Sequence, residues 1–310
     1  MSSAVLSLPD FIEPMLARAG EAFDSSDYLF ELKWDGVRGI AYIDSEGTRL
    51  MNRRRVDISH RYPELIERLR NLPPGTVIDG EIVVMQNGRP EFQLLQSREQ
   101  ARTKMKIELG SRHHPAVFIC FDQLYKDYAS IMTARCHERR AVLRDTLATA
   151  KQDLLVMSEG IVGHGIEYFE RVCAQELEGM VAKRLDSPYL PGKRLDAWQK
   201  IKRQQSVVCA IIGYVPEGER DLRNIVLAAD VEGTLRYVGR VGSGFSDAIR
   251  FDLLERLRPR RRTKPIVNCR VTEAIWVEPH LFCTVRFMEW TRDHHLRAPV
   301  YGGLYEANDR

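Results

Sequence analysis

The chain has 310 residues, 44% hydrophobic and 29% charged, with 46 Lys and Arg against 43 Asp and Glu. Such a balance describes a soluble globular protein long enough for two cores, and it excludes a claim on a polyanion from net charge alone. Six cysteines lie scattered at 120, 136, 173, 209, 269 and 283 without a C-x-x-C pair. That spacing argues against a zinc site or a disulfide framework and favours a reducing compartment. The apolar runs "AVFICF" and "VVCAII" are too short to span a bilayer, and "MSSAVLSLPDFIEPML" lacks a signal-peptide pattern. A cytoplasmic protein without membrane association is expected.

In chain order, short apolar or alternating runs predict strands at 28–33 and 37–43. Between them stands Asp35-Gly36, which read locally makes a hairpin turn. A helix is predicted over 60–71, where Ser59 is placed to cap "HRYPELIERLRNL". Further strands are predicted at 76–84, 116–125, 179–184 and 197–202, and further helices at 92–105, 137–150 and 166–177. Strands and helices without a regular βαβ rhythm predict an α+β domain over residues 1–203. After "KRQQS" the character changes to short strands, at 207–215, 224–230, 234–240, 268–278 and 281–290, separated by turn signals. One helix over "SDAIRFDLLERLR" puts Ile249, Leu253, Leu254 and Leu257 on one face. This pattern predicts a small β-barrel of the OB-fold type over residues 204–310.

Several charges stand where packing alone would not put them. "TVIDGEIVV" sets Glu81 inside an apolar strand, "LEGMVAKR" does so with Glu178 and Lys183, and "AWQKIKR" alternates Lys200 and Lys202. A buried charge is costly unless it is paired or binds a ligand. Together with Lys33 and Arg38 of "FELKWDGVRGIAY", these residues suit one pocket, with acids for a divalent cation and bases for phosphates.

The blocks "KWDGVR", "NRRRVD", "VIDGEIVV", "FICFDQLY", "EGMVAK" and "WQKIK" stand in the order of the motifs of covalent nucleotidyltransferases. The chain most resembles the ligase domain of bacterial non-homologous end-joining DNA ligases and their stand-alone relatives. "EFQLLQSR", "KRLDSPYLPGKR" and "YVGRVGSGFSD" support the narrower match, which runs from about 14 to 304 and leaves no room for polymerase or nuclease domains. The resemblance implies an adenylation (nucleotidyltransferase) domain followed by an OB-fold domain, acting as an ATP-dependent DNA ligase. Lys33 would form a lysyl-AMP intermediate. Glu31, Arg38 and Arg53 match nucleotide-contacting positions, and Glu81 and Glu178 match acidic ribose and metal positions. Phe121 matches an aromatic that stacks on adenine; read locally, it is a core residue. Lys200 and Lys202 match lysines on the α-phosphate. Lys183 fits the pattern, either in such a role or as charge balance. The implied cofactors are ATP and Mg²⁺ or Mn²⁺. The implied partners are nicked or broken duplex DNA and a Ku-like end-binding protein, with the ligase a monomer associated with a bacterial nucleoid.

The chain departs from this family in three places. Asn52-Arg53-Arg54-Arg55 replaces the usual Ser-Arg-Asn-Gly, Asp127-Tyr128 replaces Asp-Gly, and Tyr305, Ala307 and Asn308 replace Arg, Asp and Lys in "GGLYEANDR". The last change predicts slow self-adenylation, with Arg286 and Arg297 as candidate substitutes. Two other readings share much of the pattern: an RNA ligase or capping-type nucleotidyltransferase, and a DNA-binding protein with impaired self-adenylation. The basic run "ERLRPRRRTKP" (255–265) reads first as a solvated face and second as a DNA contact.

Overall fold

The computed structural model describes residues 7–149, 153–203, 205–218, 221–288, 290–291 and 293–305. The chain divides into two compact units, Met1–Lys202 and Arg203–Arg310. No helix among the described residues is long and apolar enough to cross a membrane.

The first unit begins with β1 (Leu16–Ala19), β2 (Ser25–Leu32), β3 (Val37–Ile43), β4 (Thr48–Asn52), α1 (Pro63–Leu69), β5 (Thr76–Gln86) and β6 (Arg89–Pro90). There follow α2 (Phe92–Gln100), α3 (Lys104–His113), β7 (Ala116–Lys126), β8 (Ala129–Ser130) and α4 (Cys136–Ala148). It closes with β9 (Leu155–Met157), β10 (Gly160–Gly163), α5 (Gly165–Ala174), β11 (Gly179–Arg184) and β12 (Arg194–Lys202). One sheet has the order β1-β12-β11-β2-β10; another runs β4-β3-β5-β7-β8, with β6 beside β5 and β9 beside β7.

β2 and β3 belong to different sheets, so the hairpin expected at Asp35-Gly36 does not form. Instead residues 33–36 cross from one sheet to the other. The Lys33 amide still donates to the Gly179 carbonyl at 2.9 Å, which holds the chain to β11 and prevents an immediate return. Gly36 serves close approach: a Cβ there would stand 2.3 Å from the Ile82 carbonyl oxygen. Asp79-Gly80, the other Asp-Gly pair, stays inside β5, where a Cβ on Gly80 would meet the Phe118 ring at 2.6 Å.

Two local expectations are corrected. Ser59 does not cap α1, because its hydroxyl accepts from the Leu50 amide at 2.9 Å and residues 59–61 form a 3₁₀ turn. The helix starts at Pro63, a residue suited to the first helical turn. The helix expected over 92–105 is two helices, because Thr103 accepts from the Lys106 amide and caps α3 afresh.

Strand alternation separates the faces of the five-stranded sheet. Phe30, Met180, Ala182 and Ile201 form one apolar cluster with Tyr168 and Phe169 of α5. Their neighbours in sequence face the other way: Glu31 opposes Val181, Val181 opposes Lys200, and Lys183 opposes Trp198. The charges are therefore gathered on one face by period two alone. In β7 a bulge does comparable work. Gly80 pairs with Cys120 and Asp79 with Asp122, so Phe121 is an extra residue turned toward the face that carries Arg38 and Asp79.

The second unit contains β13 (Gln205–Glu217), β14 (Asp221–Val231), β15 (Thr234–Val241), α6 (Asp247–Leu257), β16 (Arg261–Arg262), β17 (Ile275–Val277), β18 (Phe282–Phe287) and β19 (Val300–Leu304). β13 is long enough to pair with β14, β17 and β18, all antiparallel. Leu253, Leu254 and Leu257 of α6 are buried against Ile225, Leu227 and Val238, with Ile249 packed at the edge. This is the OB-fold domain. The strand expected at 268–278 narrows to β17, because Val271 and Ala274 pack in a separate apolar cluster without joining a ladder. The strand expected at 281–290 is β18, and the glycine-bearing β19 has no counterpart among the predicted strands.

Candidate active site

A cleft of about 550 Å³ opens in the first unit, lined from both sheets. Glu31, Lys33, Arg38, Arg53, Glu81, Phe121, Lys183 and Lys200 all line it. Lys33 follows β2 directly, and its Nζ lies 2.5 Å from Glu178 Oε2; Lys202 Nζ holds the other oxygen of Glu178 at 3.0 Å. Glu178 thus bridges two lysines, although neither it nor Lys202 is part of the cleft lining.

The cleft's inner wall is a set of closed ion pairs. Glu31, 2% exposed, is held by Arg140 and by Lys183 Nζ at 2.6 Å. Arg140 also donates to the Ser158 carbonyl at 2.7 Å. Lys183 Nζ sits 4.2 Å from the centre of the Phe121 ring and 4.6 Å from that of Trp198, an arrangement favourable for a desolvated cation. Arg38 binds Asp79 through two 2.6 Å hydrogen bonds, and the Tyr189 hydroxyl donates to the same carboxylate at 2.7 Å. Burial works against the Arg38 charge, but Asp79 outweighs it and the guanidinium pKa is raised. Beneath this wall Arg139 and Asp122, both fully buried, form a second bidentate pair at 2.8 Å.

Glu81 differs from these acids. It opposes Arg38 on β3 and lines the cleft half-buried, yet its carboxylate receives no hydrogen bond or ion pair among the described residues. Burial pushes its carboxyl up to about 8, with Arg38 and Lys33 pulling the other way. An oxygen donor left uncompensated in a polar cleft fits a hard divalent cation. No group of three or more Asp, Glu, His or Cys among the described residues could cage such an ion. It would have to be shared with substrate phosphates, the usual habit of Mg²⁺. Lys200 has its pKa lowered by burial and then by the crowd of Arg194, Lys202 and Lys33, the electrostatic mark of a face built for anions.

Sequence reasoning missed Arg140, Asp79, Arg194 and Trp198 as parts of this wall. Asp79 and Trp198 stood inside quoted motifs, and Arg194 ended one; Arg140 carried no signal, since a helical arginine is by default exposed. The substituted turn at 52–56 keeps a left-handed residue at Arg55, φ 60°, where the family has glycine. Asp127 and Tyr128 are likewise left-handed, at φ 49° and 65°, and the Tyr128 hydroxyl holds this corner to residues 44 and 45. In the second unit the Tyr305 amide donates to the Phe282 carbonyl at 2.8 Å, whereas Ala307 and Asn308 lie outside the described residues.

Residues 14–202 match the ATP dependent DNA ligase domain, and residues 218–307 match the ATP dependent DNA ligase C terminal region. The multifunctional non-homologous end joining protein LigD of Pseudomonas aeruginosa is 33% identical over 311 residues, covering 96% of this chain but 36% of that protein. The chain thus spans little more than a third of that multifunctional relative. The SPbeta prophage-derived DNA ligase-like protein LigB of Bacillus subtilis is 29% identical, covering 94% of this chain and 98% of that one. Among solved structures, mycobacterial DNA ligase D complexed with ATP and MES superposes with a TM-score of 0.57 at 30% identity, covering 96% of both chains. The chain belongs to the ATP-dependent DNA ligase family.

Proposed function

We propose that this chain seals 5′-phosphate/3′-hydroxyl breaks in duplex DNA through a lysyl-AMP formed on Lys33, and that it serves end joining beside a Ku-like partner. The observation that carries the reading is the environment of Lys33, an amine at the end of β2 in a cleft rich in cations, with one carboxylate at 2.5 Å. Attack requires the neutral amine. In this reading Glu178 Oε2 takes the proton that Lys33 Nζ sheds as it bonds to the α-phosphorus and the bond to pyrophosphate breaks, a role that the 2.5 Å contact supports.

The same residues support the later steps. Transfer of AMP to a 5′-phosphate, and attack of the 3′-hydroxyl on that adenylated end, are again phosphoryl-type displacements that depend on positioning and charge. Lys200, and Lys202 through its hold on Glu178, supply cationic character beside the α-phosphate. The Phe121–Trp198 pair, edge to face at 6.1 Å, offers an aromatic corner for a base. A divalent cation at Glu81, when bound, supplies Lewis-acid stabilisation of the phosphate oxygens.

The test is incubation with α-labelled ATP, GTP or NAD⁺ and Mg²⁺ or Mn²⁺, followed by a denaturing gel. Label from ATP alone, lost in Lys33→Ala, is expected. Label from GTP alone points to capping-type chemistry, and no label from any donor points to a binding protein.

A further inference from the structure

The cleft carries more positive charge than its own acids can balance. Its lining includes Lys33, Arg38, Arg53, Arg54, Lys183, Arg194 and Lys200, seven cations, against Glu31, Glu81 and Glu99. Several of these charges are already matched. Lys183 is spent on Glu31, Arg38 on Asp79 and Lys33 on Glu178, while Glu99 is taken by Arg61 at 2.8 Å and by the Tyr62 hydroxyl at 2.7 Å. Arg194 donates to the Ala17 carbonyl. The side chains of Arg53 and Arg54 make no hydrogen bond or ion pair among the described residues, and they are neighbours on one turn.

That turn is built rather than loose. The Asn52 side-chain oxygen accepts from the amides of Arg54 at 2.9 Å and Val56 at 3.1 Å. Asn52 and Val56 also pair through their backbones at 3.0 Å, and the Arg55 amide donates to the Asn52 carbonyl at 3.0 Å. Arg55 is turned aside, its guanidinium 5.8 Å from the centre of the Phe11 ring. The turn therefore presents two of its three arginines to the cleft and parks the third. Adjacent like charges held on a fixed backbone repel one another, and an anion with several charges relieves that repulsion.

Resting on the ligase reading above, we infer that Arg54, beside Arg53, binds the two outer phosphates of ATP and so receives the departing pyrophosphate. The α-phosphate must meet Lys33 Nζ; Lys33 directly follows β2 of the five-stranded sheet, and Lys200 lies on β12 of the same sheet. The turn follows β4 in the other sheet and meets the part of the triphosphate that extends away from the lysines. Arg54 stands at one of the positions where the chain departs from the family's motif, asparagine there being replaced by a cation.

The experiment compares ATP with AMP. Calorimetric titrations use the 310-residue chain carrying Lys33→Ala, which binds without reacting, with and without Arg54→Gln. Arg54→Gln weakens ATP about tenfold and AMP less than about twofold, and Arg54→Lys recovers part of the ATP affinity. With Lys33 intact, the pyrophosphate concentration needed to strip AMP from the adenylated enzyme rises by a similar factor, while sealing of a pre-adenylated nick is unchanged. Equal losses for ATP and AMP, or no loss for either, overturn the assignment. Unchanged ATP affinity with slowed sealing of the pre-adenylated nick overturns it in favour of a DNA-phosphate contact. A protein that binds ATP but never forms the Lys33 adduct defeats the ligase reading, while the ATP/AMP difference still decides Arg54.

Discussion

The inner wall of the cleft and its rim treat charge in opposite ways. Inside, each acid meets a cation at close range: Glu31 with Arg140 and Lys183, Asp79 with Arg38, Asp122 with Arg139. At the rim, Arg53 and Arg54 have no acidic partner among the described residues. Buried pairs contribute little net stability but are costly to break, so the inner network specifies one arrangement of the two sheets around the cleft. Rim charges stay solvated until an anion arrives, and cost little meanwhile. Lys33 stands between the two regimes, paired with Glu178 yet open to substrate.

The largest effect is expected at that boundary. Lys33→Arg keeps the charge and the pairing with Glu178 but cannot provide a neutral amine, so it should abolish adenylation as completely as Lys33→Ala. Retained label on either variant would show that the nucleophile lies elsewhere. Next comes the inner wall. Arg139→Met leaves Asp122 buried without its partner and should cost about 3–5 kcal/mol in urea unfolding. A loss below about 1 kcal/mol would mean that the inner pairs are as dispensable as surface ones.

The altered terminus should penalise the first chemical step. Loss of one donor to developing charge commonly costs on the order of a hundredfold in rate. Tyr305→Arg with Asn308→Lys should therefore speed single-turnover adenylation while leaving sealing of a pre-adenylated nick nearly unchanged. If adenylation is already as fast as nick sealing and the double variant gains nothing, the rim arginines suffice without the terminus.

A smaller effect follows from Glu81. Its folded-state pKa is raised from 4.5 to about 8, so the folded protein holds a proton that the unfolded chain releases. Stability without nucleotide should then fall as pH rises through that window, by up to about one proton's worth of slope. Glu81→Gln should flatten the dependence, measured as unfolding free energy against pH. The smallest effect concerns the run at 255–265. Neutralising its arginines should lower the salt dependence of nick binding by about one unit for each DNA phosphate that the run no longer neutralises. An unchanged slope would remove this run from the DNA footprint.

Legibility in the sequence followed the kind of element that carries each charge. Lys33, Glu81, Lys183 and Lys200 were readable because charges inside apolar strands demand an explanation. Arg140 was not, since nothing local distinguishes a buried helical arginine from an exposed one. Asp35-Gly36 signalled a turn that does not form; its glycine, like Gly80 inside β5, instead admits a neighbouring strand or ring, a tertiary constraint invisible in the dipeptide. The bulge at Phe121 was equally hidden, because one surplus residue in a run of apolar ones leaves no mark until the partner strand is known.

That bulge has a consequence for how the strand tolerates loss of a residue. At a β7 residue that pairs with β5, a deletion slips the ladder and turns each following side chain to the wrong face. Phe121, however, has no partner on β5. Removing it lets Cys120 and Asp122 stay opposite Gly80 and Asp79, so a one-codon deletion excises the aromatic and leaves the frame of the sheet intact. Comparing that deletion with Phe121→Ala separates the ring's service to a bound base from the extra backbone that carries it. A deletion variant that fails to fold while Phe121→Ala folds would show that the bulge itself shapes the cleft.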